Sequence, residues 1–360
     1  MKRGVFILIM VLLIPMLTGC GNGVYAEEVS YADDYDEYVY EYKHDYEYDV
    51  HDDGDYGDYD AEIEIEAQIL ELAEFASYYF GRLQAIWDAD DGAMWGVRLD
   101  LPVIIFCNEY QIAAATHPDV EGNFTRYYFG DIAVYAGVQR IFASSPARRN
   151  WNGVMGVFAE RQAMQAFHFF GIKLNDSSGD AALSTIIHYA MHAIQPDLIG
   201  VSGAYMQGRA DDESFVLEFN ALLQALNASG EERFNAAHRA LSYRNARRLA
   251  LPNADADASI PGSIAGENLM AMSEGTTVYT ELMMIASRDD VIAFVQRWPQ
   301  LFDTQDHNGV LFGYIGGALY GILLDELGVD WRPLAGPHLD LGVLLQDALG
   351  ITYFLDVVLP

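Results

Sequence analysis

The chain has 360 residues, with 53 Asp and Glu against 20 Lys and Arg and a formal net charge of −33 at pH 7. That imbalance excludes nucleic acid and anionic lipid head groups as partners recruited through charge, because both would be repelled. The length suffices for a sizeable core, whereas two cysteines cannot build a disulfide framework.

The chain opens with basic residues Lys2 and Arg3, followed by an apolar run over residues 5–14 that is too short for a permanent membrane span. Leu17-Thr18-Gly19-Cys20 then reads as a lipobox. Residues 1–19 are expected to be a lipoprotein signal peptide. The mature protein would begin at Cys20 and be tethered by acyl chains there, facing outside the cytoplasm in a bacterial cell envelope. With Cys20 lipidated, Cys107 is left alone in an apolar run over residues 101–107, as a buried and inert thiol.

Residues 20–62 are expected to be a disordered tether. Between Glu27 and Glu66 stand 18 acidic residues against one lysine, Lys43, and ten of the 23 tyrosines fall between Tyr25 and Tyr59. Like charges repel and there is no apolar periodicity to fold around. The segment reads as a spacer or, with His44 and His51, as a weak binder of cations.

Residues 63–360 are expected to form one folded domain. Residues 63–87 carry Ile69, Leu72, Ala73, Ala76, Phe80 and Leu83 on one helical stripe. Residues 101–107, 126–135 and 153–159 read as strands. Helical patterns dominate from Asp180 on: a helix starting near Asp180 or Ser184 and ending at Pro196, then residues 213–226, 268–286 and 312–327. The last is rich in glycine (Gly313, Gly316, Gly317, Gly321), which allows close packing against a neighbour. Strands early and helices late predict an α+β fold with a mainly helical C-terminal lobe.

One segment carries chemistry. In Ala-Leu-Ser-Thr-Ile-Ile-His-Tyr-Ala-Met-His-Ala-Ile, residues 182–194, His188 and His192 stand one helical turn apart, where both imidazoles reach a single zinc ion. Their flanks (Ile186, Ile187, Ala190, Ala193, Ile194) are apolar, so an unliganded pair would be costly to bury. A later helix offers Glu274, a natural third ligand that leaves the fourth position open.

The combination of His188-x-x-x-His192-Ala193-x-Gln195 with Glu274-Gly275-x-x-x-Tyr279 resembles the gluzincin-like zinc metallopeptidases. In these exported proteins a His-Glu-x-x-His helix is followed many residues later by Glu-Gly-x-x-x-Tyr. The resemblance runs from about Trp151 to Arg332. It also takes in Trp151-Asn152-Gly153, Leu217-Glu218-Phe219-Asn220-Ala221-Leu222, Tyr243-Arg244-Asn245-Ala246-Arg247-Arg248 and Gly317-Ala318-Leu319. It implies a zincin-like fold, zinc held by His188, His192 and Glu274, and Tyr279 as a hydrogen-bond donor to a developing oxyanion.

The departure is Tyr189, which stands where the family has its glutamate. That glutamate takes a proton from the attacking water and passes it to the leaving amine. A tyrosine side chain, with an ordinary pKa near ~10, is a poor base. Loss of a general base removes about 10²–10⁴ of rate enhancement. Several readings stand at this point. The protein is a pseudoenzyme; or Glu213, Glu218 or Glu281 supplies the base; or Tyr189 itself ligates zinc; or the histidines are structural. A non-enzymatic lipoprotein that uses the old cleft to hold a peptide or an envelope partner is the alternative function. Glu218 is either solvated or turned inward to orient His188 or His192. Arg244, Arg247 and Arg248 either pair internally with acids such as Glu231 and Glu232 or dock a substrate carboxylate. His117, His168, His238, His307 and His338 have no ligand-like neighbours.

Overall fold

The computed structural model describes residues 57–118, 124–139, 147–151, 154–161, 180–201, 213–250, 263–296 and 308–359. The signal peptide, Cys20 and the acidic segment up to residue 56 lie outside the described residues.

The first helix, α1 (Gly57–Asp90), begins six residues before the expected boundary. Its apolar stripe is the one its spacing predicts: Leu72, Ala73, Ala76, Phe80 and Leu83 are all buried. They lie on a six-stranded sheet made of β1 (Val103–Cys107), β2 (Ile112–Ala115), β3 (Thr125–Phe129), β4 (Ile132–Val138), β5 (Ala147–Trp151) and β6 (Val154–Glu160), in the order β3-β4-β2-β1-β6-β5. All neighbours run antiparallel except β1 and β6. The alternating segment expected over residues 126–135 is a hairpin, turned at Gly130, whose φ of 61° falls in the left-handed region.

Strand alternation sends Val103, Ile105, Cys107, Ile112, Ala114, Val134, Ala136, Val157 and Ala159 to one face. That face is covered by α1 and by the histidine-bearing helix α2 (Asp180–Ile199) through Leu183, Ile186, Ile187, Tyr189 and Ala190. Cys107 is buried there as a free thiol.

Helix α2 does not stop at Pro196 but carries it inside its last turn. With only three residues after it, the proline costs the one bond its N–H would have given to the His192 carbonyl, and the helix continues to Ile199.

The other side of α2 adds Met191 and Ile199 to a helical core. That core is built from α3 (Ser214–Asn227), α4 (Gly230–Leu249), α5 (Ile264–Met270), α6 (Thr276–Ile285), α7 (Arg288–Val295), α8 (Asn308–Glu326) and α9 (Leu341–Leu349). The fold is therefore α+β, with α2 at the seam between sheet core and helical core.

Between α5 and α6 the helix widens into one π turn, Ala271–Gly275. One glycine of α8, Gly317, meets this turn. A Cβ on Gly317 would sit 2.7 Å from the Ala271 carbonyl oxygen, and one on Gly275 would sit 2.6 Å from Gly317 Cα. Only glycine at both places lets the two backbones cross so closely, which is the role the small-residue run predicts.

The arginine cluster is internal, but its partners are not Glu231 and Glu232. Arg247 Nη1 donates to Glu218 Oε2 at 2.5 Å and Arg247 Nε to Glu267 Oε1 at 3.2 Å. Arg248 bonds Glu267 and Asp340, and Arg244 bonds Asn268 and Asp340. Burial alone would raise the Glu267 carboxyl, yet the Arg247 and Arg248 guanidiniums hold it down to about 2. Asp340 is depressed in the same way by Arg244 and Arg248, against the same opposing burial.

A carboxyl whose folded pKa lies below its unfolded value contributes stability above the unfolded pKa and loses it as pH falls toward the folded one. The contribution of this cluster to stability is therefore expected to be complete above about pH 5 and to be lost steeply between about pH 4.5 and 2. Urea unfolding followed across that range checks this. An unchanged midpoint at about pH 3 would contradict the pairing.

Candidate metal centre

Three side chains from two elements meet at the seam. His188 and His192 come from consecutive turns of α2, their ring centroids 4.7 Å apart. Glu274 comes from the π turn facing them. A π turn adds a residue to the helical cycle and re-aims the side chains it carries, a device found often at functional sites.

Glu274 Oε2 lies 3.2 Å from His192 Nε2 and 3.7 Å from His188 Nε2. One ligand atom from each of the three residues falls within 4.8 Å of the others, the separation a single small cation can bridge. Glu274 is wholly buried, and the two histidine side chains keep about a tenth of their surface exposed. The three residues singled out by spacing are thus brought together.

The outer nitrogens of both rings are held. His188 Nδ1 lies 3.2 Å from Glu281 Oε2, and the Ser184 hydroxyl donates to Glu281 Oε1. His192 Nδ1 lies 2.8 Å from Gln195 Oε1. The Gln195 amide nitrogen faces oxygens only: the Ser273 carbonyl at 2.6 Å, the Met272 carbonyl at 3.3 Å, and the Thr276 and Thr277 hydroxyls at 2.9 and 3.0 Å. Both hydroxyls already donate, to the Met272 and Ser273 carbonyls respectively, so they accept from Gln195. This end of the amide must be the NH₂.

The Gln195 oxygen therefore faces His192, and Nδ1 of His192 must carry the proton. In the neutral ring, Nε2 then presents a lone pair to the Glu274 carboxylate. Two acceptors at 3.2 Å in a buried place require a proton or a cation between them. This donor set fits a metal ion.

Electrostatics favour the ligand form of the first histidine. Burial, followed by the charge of His192, pushes the His188 imidazole down to about 3, with Glu274 opposing, so the ring is neutral with a lone pair at physiological pH. Burial pushes the Glu281 carboxyl up to about 8 against the opposing Ser184 hydrogen bond and the His192 charge.

Comparison with known proteins returns no matching family model, no matching curated protein and no matching solved structure.

The remaining candidates are placed as follows. Tyr189 is buried, and its ring stands edge-on to that of His188 at 5.4 Å and tilted to that of His192 at 6.3 Å. It borders the pair while packing into the sheet-side core.

Tyr279 departs from the oxyanion-donor expectation. Its hydroxyl donates to Asp325 and accepts from Arg332, and its ring packs edge-on against Trp95 and Trp331. The side chain turns along the helical core rather than toward the histidines.

Glu218 does face inward, but toward Arg247 and the Tyr320 hydroxyl at 2.5 Å each, and it orients neither histidine. Glu213 is exposed at the start of α3. Glu281 approaches His188 from the Nδ1 side, across the ring from Nε2, the nitrogen turned toward Glu274.

His238 is bonded to the Tyr353 carbonyl, in keeping with its having no ligand-like neighbours. The residue that spacing alone did not mark for a role is Gln195. Its only signal was its place in the His-x-x-x-His-Ala-x-Gln string.

Proposed function

We propose that the chain is a zinc-binding, metallopeptidase-like lipoprotein of the bacterial cell envelope whose peptide-bond hydrolysis is lost or very weak. The observation that carries this reading is the convergence of His188 Nε2, His192 Nε2 and Glu274 on one buried point, beside a tyrosine. A zinc ion there would supply Lewis-acid polarisation of a carbonyl and a lowered pKa for water.

The chain's own residues would hold that ion and fix its surroundings. Glu281 and Gln195 orient the two imidazoles, and Glu274 neutralises one of the two positive charges. None of these is placed to shuttle a proton. Glu281 stands behind His188, Glu218 is locked to Arg247, and Tyr279 is bonded to Asp325 and Arg332. Among the described residues named above, none therefore supplies what Tyr189 replaces. Anchoring through Cys20 would hold the centre at the membrane surface. Among the described residues no helix is long and apolar enough to cross a membrane.

The test is turnover of a broad peptide library by the full chain, loaded with zinc and shown to retain it. The expected result is hydrolysis at the background rate. Robust cleavage that vanishes in Glu274→Ala would overturn the loss of activity while keeping the metal site.

A further inference from the structure

The zinc reading uses only one end of Gln195, which stands three residues beyond His192 and is wholly buried. One end of its amide takes the Nδ1 proton of His192 at 2.8 Å. The other end reaches the π turn, where its two N–H donors are shared among the carbonyls of Met272 and Ser273, the two residues just before Glu274, and the hydroxyls of Thr276 and Thr277, the two just after Gly275. The same planar group thus touches the ring of one ligand and brackets the turn that carries another.

Within a helix each amide N–H bonds back along the chain, but a π turn changes that repeat and alters where its carbonyls point. Here two successive carbonyls, on Met272 and Ser273, receive bonds from a different helix. The Thr276 and Thr277 hydroxyls share those carbonyls, at 2.6 and 2.5 Å, so the amide completes a closed polar network inside an otherwise apolar seam. Such a network is costly if incomplete and rigid if complete.

Resting on the metal reading above, we propose that Gln195 is the positioning residue of this centre: it holds His192 with Nδ1 protonated and Nε2 available, and it registers Glu274 on the histidine helix. An apolar residue of similar size at position 195 would release both constraints together. His192 could then carry its proton on Nε2, which blocks ligation, and the π turn would lose its bonds to α2.

The experiment compares full-length wild type with Gln195→Leu in two ways. The first is zinc affinity by chelator competition, in which the variant is expected to bind about 10–100-fold more weakly, as when a ligand's hydrogen-bonded support is removed. The second is ¹⁵N NMR of the imidazole rings in metal-free protein at about pH 9, where an ordinary histidine is neutral. Wild-type His192 is expected as the Nδ1–H tautomer, and the variant as a mixture or as Nε2–H.

A purely structural glutamine would lower stability without moving the tautomer. Wild-type His192 in the Nε2–H form overturns the proposal even if the variant does not fold, as does a folded variant that keeps both wild-type affinity and the Nδ1–H form. Absence of zinc binding in wild type would count against the metal reading, and the tautomer comparison would still decide the role of Gln195.

Discussion

Replacing Tyr189 with glutamate in the zinc-loaded full chain is expected to raise peptide hydrolysis by about 10²–10⁴ over wild type, the contribution of a positioned general base. The side chain leaves α2 between His188 and His192, with its ring 5.4 Å from that of His188 and 6.3 Å from that of His192. A carboxylate there borders the two imidazoles without replacing either. Tyr189→Gln removes the ring but supplies no base, so it should gain nothing. Fluorogenic peptide turnover under saturating zinc measures both variants. The glutamate also costs stability, because Tyr189 is only 7 % exposed and sits in the apolar cluster between α2 and the sheet. A folded, zinc-bound Tyr189→Glu protein with no turnover would mean that more than the base has been lost.

The largest expected loss of stability is at Arg247. Its guanidinium is 1 % exposed, its partner Glu218 is wholly enclosed, and it lies 3.9 Å over the Phe215 ring. Glu218 belongs to α3, Arg247 to α4, Glu267 to α5 and Tyr320 to α8, so one charge cluster ties four helices. Arg247→Ala leaves the buried Glu218 carboxylate without its cation, while Glu267 keeps Arg248, and is expected to lower the unfolding free energy by about 3–5 kcal/mol, measured by urea titration. Adding Glu218→Gln to Arg247→Met should recover part of that loss, because no ion then faces an empty partner. If Arg247→Ala unfolds within about 1 kcal/mol of wild type, the cluster is not the tie described.

The readable parts of this fold are those in which a local pattern carries the information. The α1 stripe, the histidine pair one turn apart and the glycine run of α8 each announce a face, and each face is where the pattern places it. Two strands gave no such signal. β2 is Ile-Ala-Ala-Ala, poor in β-branched residues, and β5 is the polar edge segment Ala-Arg-Arg-Asn-Trp. Helix α4 is charged over much of its length, and its buried face sets Arg244 and Arg247 beside small or apolar residues such as Ala236, Ala237, Ala240 and Leu241.

Long-range partnerships were harder still. Glu218, between Leu217 and Phe219, reads equally as a solvated residue or as one turned inward to orient a histidine. Its partner lies 29 positions away on a helix that local pattern did not reveal. Tyr279 follows Glu274 by five residues, yet beyond the π turn its side chain turns toward Asp325 and Arg332. Gln195 was legible as a letter of a motif but not as a tie, because its partners are mainly backbone carbonyls and hydroxyls some 80 positions on.

The central claim is that His188, His192 and Glu274 form one tight zinc site. Chelator-competition titration of zinc into the full chain, beside His188→Ala and Glu274→Ala, tests it most directly. The claim predicts one tight ion per wild-type chain and its loss in both variants. Zinc bound only weakly, and equally by all three proteins, would contradict it and assign the metal to acidic groups elsewhere, such as those interleaved with His44 and His51.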